Sequence, residues 1–393
     1  MRDVVIVGGA RTPQGRLLGQ LASMKAVDLG AHAIRSALAR AGVEAEAVQY
    51  VLMGHVIQAG CGQNPAKQAA VSAGLGMHVP AETVNKVCLS GLAAVTHAAR
   101  LIRLGEAEVV VAGGMESMTN APHLARVRAG VKYGTAPLED AVAADGLDDA
   151  ADRISMGLLT EQGNERHGFT REEQDAVAAD SHVRAARAAA DGIFADEIAP
   201  VSIPQRRGEP LVLDSDEGVR AESTVETLGK LRPAFRSDGT ITAGNASPIS
   251  DGAAALVVTS REYAEANGLT VLCVVGEAGQ VAGPDTQLHE QPSKALAAAL
   301  ARAGWEVADL DFLEINEAFA AVGLASLKEL GYPWERTNLH GGAIALGHPV
   351  GASGARLALH AAMELHRRGA GRAGVALCGG GGQGEALLLS ANS

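Results

Sequence analysis

The chain has few cysteines, few aromatic residues and no long apolar run, and each shortage removes a class of protein. Four cysteines (Cys61, Cys88, Cys273, Cys378) in 393 residues do not make a disulfide framework, and none stands in the Cys-x-x-Cys spacing of metal or redox motifs. Each must be judged singly. No run approaches the roughly 18 consecutive apolar residues of a membrane-spanning helix. Positive charge is also short, with 33 Lys and Arg against 45 Asp and Glu and a formal charge of −12. That balance argues against nucleic acid or an anionic membrane as the main partner, while leaving room for a small anion bound locally. Aromatics make up 3% and charged residues 20%, but 47% of the chain is hydrophobic, which describes a globular Ala/Gly-rich α/β protein and not a disordered one. The expectation is a soluble, cytoplasmic enzyme with no visible metal-ligand cluster.

What the chain has in abundance is glycine, 48 residues, and repetition. At this length two or three packed units are expected. Ala37-Leu38-Ala39-Arg40-Ala41-Gly42 recurs as Ala299-Leu300-Ala301-Arg302-Ala303-Gly304, each copy ending an apolar-periodic helix that leads to a short apolar run, Tyr50–Met53 or Phe312–Ile315. Further on, Ser90-Gly91 opens a helix followed by Glu108–Gly114, and Ser353-Gly354 opens one followed by Ala373–Gly380. Chance similarity in an Ala-rich chain is enough to explain one such match, but it explains poorly a run of them in one order. Apolar strands alternating with amphipathic helices predict two similar α/β halves built on mainly parallel sheets.

The reading divides the chain into an N-terminal half over 1–118, completed by about 249–270, an insertion over 119–248, and a C-terminal half over 271–393. The insertion carries Arg126, Arg128, Lys132 and the acidic stretch Glu139–Asp152. Within it Thr170-Arg171-Glu172-Glu173 fits a capping box, with Gly192 placed to end the helix. A long, polar, part-helical insertion in a duplicated core predicts an element that covers a substrate.

Cys88 lies in Asn85-Lys86-Val87-Cys88-Leu89-Ser90-Gly91, just before a predicted helix. The unpaired N–H groups and partial positive charge of a helix N-terminus favour a thiolate and predict a lowered pKa. The competing reading is a small buried hydrophobe. A nucleophile needs a base and an oxyanion site, and three clusters could supply them: Asn316-Glu317-Ala318-Phe319, Asn338 to Pro349 with His340 and His348, and Cys378-Gly379-Gly380-Gly381-Gly382. Loops after strands gather at one rim of a sheet, so these segments can converge. Cys273 reads as core packing, and Cys61, in a glycine-flanked loop, has no assigned role.

Asn-Lys-Val-Cys-x-Ser-Gly at 85–91, Gly-Gly-Met-Glu-Ser-Met at 113–118, Asn-Glu-Ala-Phe-Ala at 316–320, Gly-Gly-Ala-Ile-Ala-Leu-Gly-His-Pro at 341–349 and Cys-x-Gly-Gly-Gly at 378–382 resemble the signature segments of thiolases, in the family's order. Gln63–Gln68 and Thr242–Ser247 are also similar, and the resemblance runs from Met1 through essentially the whole chain. It implies a duplicated fold of two βαβαβαββ halves in α-β-α-β-α layers, with a loop domain over the active site and a homotetramer built as a dimer of dimers. It also implies a reversible Claisen condensation of two acetyl-CoA to acetoacetyl-CoA and coenzyme A. No cofactor is implied, because coenzyme A thioesters are themselves the substrates.

By the same resemblance Cys88 is the acylated nucleophile, His348 its base and Cys378 the acid/base at carbon. Asn316 orients a water that forms one oxyanion hole with His348, and the N–H groups of Cys88 and Gly380 form the other. Ser247, Arg220, Ala243, Phe235, Ala318 and Phe319 are the implied coenzyme A contacts. His340 is favoured less than His348. Ketoacyl synthases also use a cysteine at a helix N-terminus but lack the Cys-x-Gly-Gly-Gly segment. A thiolase-like binding protein would have lost one of Cys88, His348 or Cys378. A dinucleotide oxidoreductase would need a Gly-x-Gly-x-x-Gly after Val5-Ile6-Val7, which is absent. The remaining alternative is a degradative 3-ketoacyl-CoA thiolase of broader chain length. Ser155 stands before Met156-Gly157, where short-chain members often carry histidine, so some activity on longer chains is expected.

Overall fold

The computed structural model describes residues 2–392; Met1 and Ser393, at the outer ends of the predicted halves, lie outside the described residues. The first half runs β1 (Val4–Arg11), α1 (Ala26–Ala41), β2 (Tyr50–Gly54), α2 (Pro65–Ser72), β3 (Ala81–Val84), α3 (Ser90–Leu104) and β4 (Val109–Ser117). After an insertion whose main helices are α4 (Met156–His167) and α5 (Arg171–Ala190), β5 (Ser250–Ser260) completes it. The second half runs β6 (Cys273–Ala282), α6 (Gln291–Ala303), β7 (Phe312–Ile315), α7 (Ala320–Leu330), α8 (Ser353–Arg368), β8 (Arg372–Gly379) and β9 (Gln383–Ser390).

The repeated hexapeptide does the same work twice. It ends α1 at Gly42 (φ 65°) and α6 at Gly304 (φ 67°), both in the left-handed conformation that caps a helix with little cost only in glycine. The repeated Ser-Gly pairs open α3 and α8, which lie against one another. A side-chain carbon on Gly91 would lie 2.7 Å from the Ala355 nitrogen, and one on Gly354 would lie 2.6 Å from the Leu92 nitrogen. The two glycines therefore play reciprocal parts at the contact between the two helices.

The layers follow from which faces are apolar. Leu92, Val95 and Ile102 of α3 and Leu357, Leu359 and Leu365 of α8 join one buried cluster with residues from β4, β5, β8 and β9. That pair forms the central layer. The other face of the first half is covered by α1 and α2, and that of the second by α6 with support from α7. The window Val87–Leu104 is long and apolar enough to cross a membrane; burial of α3 on several sides accounts for that composition.

Three features differ from the sequence reading. The strands form one continuous sheet in the order β7-β8-β9-β6-β1-β5-β4-β2-β3, in which the halves meet at Val5↔Val274 and Ile6↔Cys273. It is not mainly parallel: β2 pairs β3 and β4 in parallel, as β7 does β8, whereas β1, β5, β6 and β9 pair antiparallel with their neighbours. For β8 and β9 the reason is local, since they are joined by the tight turn Gly380–Gly382 and no crossover helix separates them. The third strand of the second half is also reduced to a single parallel bridge, Leu313↔Thr337. The capping box of the insertion helix is present, with Thr170 and Glu173 bonded reciprocally and Gly192 just beyond the end of α5.

Candidate active site

Cys88 sits at a sharp turn between β3 and α3. Its neighbour Val87 has φ 51°, a left-handed conformation that costs a β-branched residue on the order of 1–3 kcal/mol. Three hydrogen bonds hold the turn: Val87 N–H donates to Asn85 Oδ1 at 3.1 Å, Asn85 Nδ2 donates to Val56 O at 3.2 Å, and Ser90 Oγ donates to Val87 O at 2.6 Å. The end of β8 comes close on the other side. A side-chain carbon on Gly379 would lie 2.6 Å from Leu89, and one on Gly380 3.3 Å from Val87. The residues flanking Cys88 thus rest against the residues following Cys378.

The thiol does not have the lowered pKa that its place before a helix predicts. Burial pushes it up to about 12; the N–H groups of Cys88 and Gly380 pull it down, and the nearby Glu116 carboxylate adds to the rise. Although the residue is partly exposed through a cavity, desolvation outweighs the helix terminus. Cys88 therefore rests as a thiol and needs a base. Those same two N–H groups face the sulfur, the position from which they could hold an acyl oxygen.

His348, which opens on the same cavity, is the candidate base. Its backbone N–H donates to Ser250 Oγ at 3.1 Å, and Nδ1 lies 2.6 Å from Ser353 Oγ. Ser353 gives its own proton to Pro349 O at 3.0 Å, so it accepts from Nδ1–H and leaves Nε2 without a proton. Burial, and then Arg356, lower the imidazole pKa to about 4, keeping it neutral. Asn316 Nδ2 is 3.4 Å from Nε2, while its buried Oδ1 has no partner among the described residues, an arrangement suited to holding a water. Cys378 is buried at the end of β8, and burial, together with Cys88, raises its pKa.

Cys88, His348, Cys378 and Gly380 all open on one cavity of about 340 Å³, with apolar walls that include Val142, Leu147, Met156, Ile249 and Leu288. Of the expected coenzyme A contacts, Phe235, Ser247, Ala318 and Phe319 line it, the two rings meeting edge to face at 6.2 Å. Ser247 Oγ donates to Ala318 O at 3.0 Å. Arg220 and Ala243 are exposed and stand outside its walls, where Ala246 takes a place instead. A larger cavity of about 730 Å³, around Cys61 and Lys67, contains none of these reactive groups. His340 pairs with His360 at 3.0 Å, away from the cavity, and Cys273 is fully buried in the core. Ser250, Ser353 and Glu116 went unnoticed from sequence; the only available signal was that each lies within or beside a motif segment.

A partly exposed thiol, a neutral imidazole, two converging N–H groups and a second, buried thiol, all on one apolar cavity, form a site suited to acyl transfer through cysteine on a duplicated α/β fold. Residues 4–262 match the thiolase N-terminal domain and residues 269–391 the thiolase C-terminal domain. The chain is 58% identical over 386 residues to a probable acetyl-CoA acetyltransferase of Mycolicibacterium smegmatis, covering 98% of this chain and 100% of that one. It is 49% identical to an acetyl-CoA acetyltransferase of Pseudomonas aeruginosa, covering 99% and 100%. The crystal structure of the Bacillus anthracis acetyl-CoA acetyltransferase superimposes with a TM-score of 0.97 at 40% identity, covering 100% of this chain and 99% of that one. The chain belongs to the thiolase family.

Proposed function

We infer that the chain is an acetyl-CoA C-acetyltransferase, interconverting two acetyl-CoA with acetoacetyl-CoA and coenzyme A through an acetyl-Cys88 intermediate. The observation that carries this is the meeting of Cys88, His348, Cys378 and Gly380 on one apolar cavity, in a chain whose full-length relatives bear that name.

In the thiolytic direction His348 Nε2 takes the Cys88 proton as sulfur attacks the 3-keto carbon, and the oxygen that gains charge is held by N–H donors. The carbon–carbon bond then breaks, the departing acetyl-CoA carbanion takes the proton of Cys378, and acetyl remains on Cys88. A raised pKa suits this part: burial keeps Cys378 protonated until a strongly basic carbon appears beside it. Coenzyme A thiol then attacks the acetyl-Cys88 carbonyl, its proton replacing the one Cys378 gave up, and the Cys88 sulfur recovers its own from His348. Condensation is the reverse, with the Cys378 thiolate removing the weakly acidic α-proton of the second acetyl-CoA.

No cofactor enters this scheme. The reading takes the protein as cytoplasmic, in keeping with four free cysteines and a chemistry that needs two of them reduced. It also takes it as a homotetramer, a dimer of dimers. Support for assembly comes from the arm between the short strands His123–Leu124 and Glu139–Asp140, where Val127, Val131, Tyr133 and Leu138 are all exposed, a concentration of apolar surface that marks an interaction site. Supplying acetoacetyl-CoA and coenzyme A and measuring acetyl-CoA tests the activity directly; absence of product from folded protein would refute it.

A further inference from the structure

We propose that Glu116 is a positioning residue for acyl transfer: its carboxylate ties the loop that carries His348 to the segment that sets Cys88, with His55 as its partner. This rests on the roles inferred above for Cys88 and His348.

The loop in question crosses between the halves. Side-chain carbons added to Gly54, Gly91 and Gly114 would lie 2.5, 3.0 and 2.0 Å from Gly351 O. Three glycines of the first half thus form a socket that receives Gly351, which stands between His348 and its partner Ser353. Behind the socket lies Glu116, on β4 and fully buried. Its Oε2 accepts from Gly351 N–H at 3.0 Å and from Val56 N–H at 3.0 Å; its Oε1 accepts from Ile57 N–H at 3.2 Å and lies 3.2 Å from His55 Nε2. Val56 is the residue whose carbonyl holds Asn85, and Asn85 holds Val87 beside the nucleophile. One carboxylate therefore reaches both the imidazole loop and the thiol turn.

Its charge alone would be counterproductive, because an anion near Cys88 opposes the thiolate. What serves the reaction is the geometry it imposes. His55 is also buried, with Cys61 and Glu116 as the titratable groups facing it. Burial works against its protonation, but Cys61 and Glu116 overcome this and raise its pKa to about 9, so it offers Glu116 a positive partner.

The test is single-turnover acetylation of Cys88 by acetyl-CoA, read by mass, in wild type, Glu116→Gln, His348→Ala and the double variant. Glutamine fills the same space but turns an amide N–H₂ toward backbone N–H groups. The expected result for Glu116→Gln is a rate roughly 10- to 100-fold lower, as for a misplacement near 1 Å, with half-saturating acetyl-CoA changed by less than about threefold and no further loss in the His348→Ala background. A wild-type rate, a change confined to half-saturation, or the same fold-loss in both backgrounds overturns the proposal. If Glu116→Gln does not fold, His55→Gln carries the same comparison. It keeps the carboxylate and its backbone donors, and the expected loss of about threefold or more is again confined to the background with His348; equal loss in both backgrounds, or none, overturns the proposal. Wild-type protein that acquires no acetyl on Cys88 refutes the functional reading itself, a failure distinct from these.

Discussion

The Ser353 hydroxyl lies 2.6 Å from His348 Nδ1 and gives its own proton to Pro349 O at 3.0 Å, so the imidazole is held with its basic nitrogen toward Asn316. Removing that oxygen leaves a buried N–H without a partner and the ring free to change tautomer. Ser353→Ala should slow acetylation of Cys88 roughly tenfold, less than the about 10²–10⁴-fold attributed to a general base as a whole. Rapid-quench mass measurement of the two proteins checks this.

The depressed pKa of His348 has a consequence for stability. An unfolded histidine takes up a proton near pH 6.5, while the native ring resists until about 4. Between those values the unfolded state binds more protons. The stability this group contributes is therefore present above about pH 6.5 and lost as pH falls toward 4, by on the order of 3 kcal/mol. His182, His289 and His340, each also lowered to about 4 chiefly by burial, act in the same direction, whereas the raised pKa of His55 makes a contribution lost as pH rises through about 9. Thermal melting should show Tm falling across this acid window, with a shallower fall in His348→Asn.

Cys378→Ser tests the division of labour between the two thiols. Acetylation of Cys88 should persist at a rate within about tenfold of wild type, while condensation and thiolysis fall by at least about 10²-fold, because a hydroxyl is a far poorer acid/base toward carbon. Equal loss of both activities would contradict the assignment.

The apolar walls around Leu147, Met156 and Leu288, with Ser155 also lining the cavity, predict highest kcat/KM for acetoacetyl-CoA and measurable activity on six-carbon substrates. One methylene in such a pocket changes discrimination by about 10- to 200-fold. Thiolysis rates from four to ten carbons settle the order, and a steady rise with length would place the enzyme among the degradative thiolases.

Much of this arrangement was readable from local signals. The repeated Ala-Leu-Ala-Arg-Ala-Gly revealed two halves because the same helix end needs the same left-handed cap at Gly42 and Gly304. The catalytic candidates were legible because each stands beside a strand end or a glycine turn. What escaped were properties of the assembled interior. The raised pKa of Cys88 depends on desolvation by segments distant in the chain, and no local pattern reports it. The socket for Gly351 needs glycines at 54, 91 and 114 together, each unremarkable where it stands. The antiparallel pairings arose from how the two halves meet and from the tight turn between β8 and β9.

The most direct test of the central claim is the mass of the Cys88 peptide after brief exposure to acetyl-CoA. A thiolase of the kind inferred here should carry a single added acetyl group on Cys88, discharged by coenzyme A and absent in Cys88→Ala. Acetyl found on Cys378 with Cys88 unmodified, or no covalent acetyl in protein that still condenses acetyl-CoA, would contradict it.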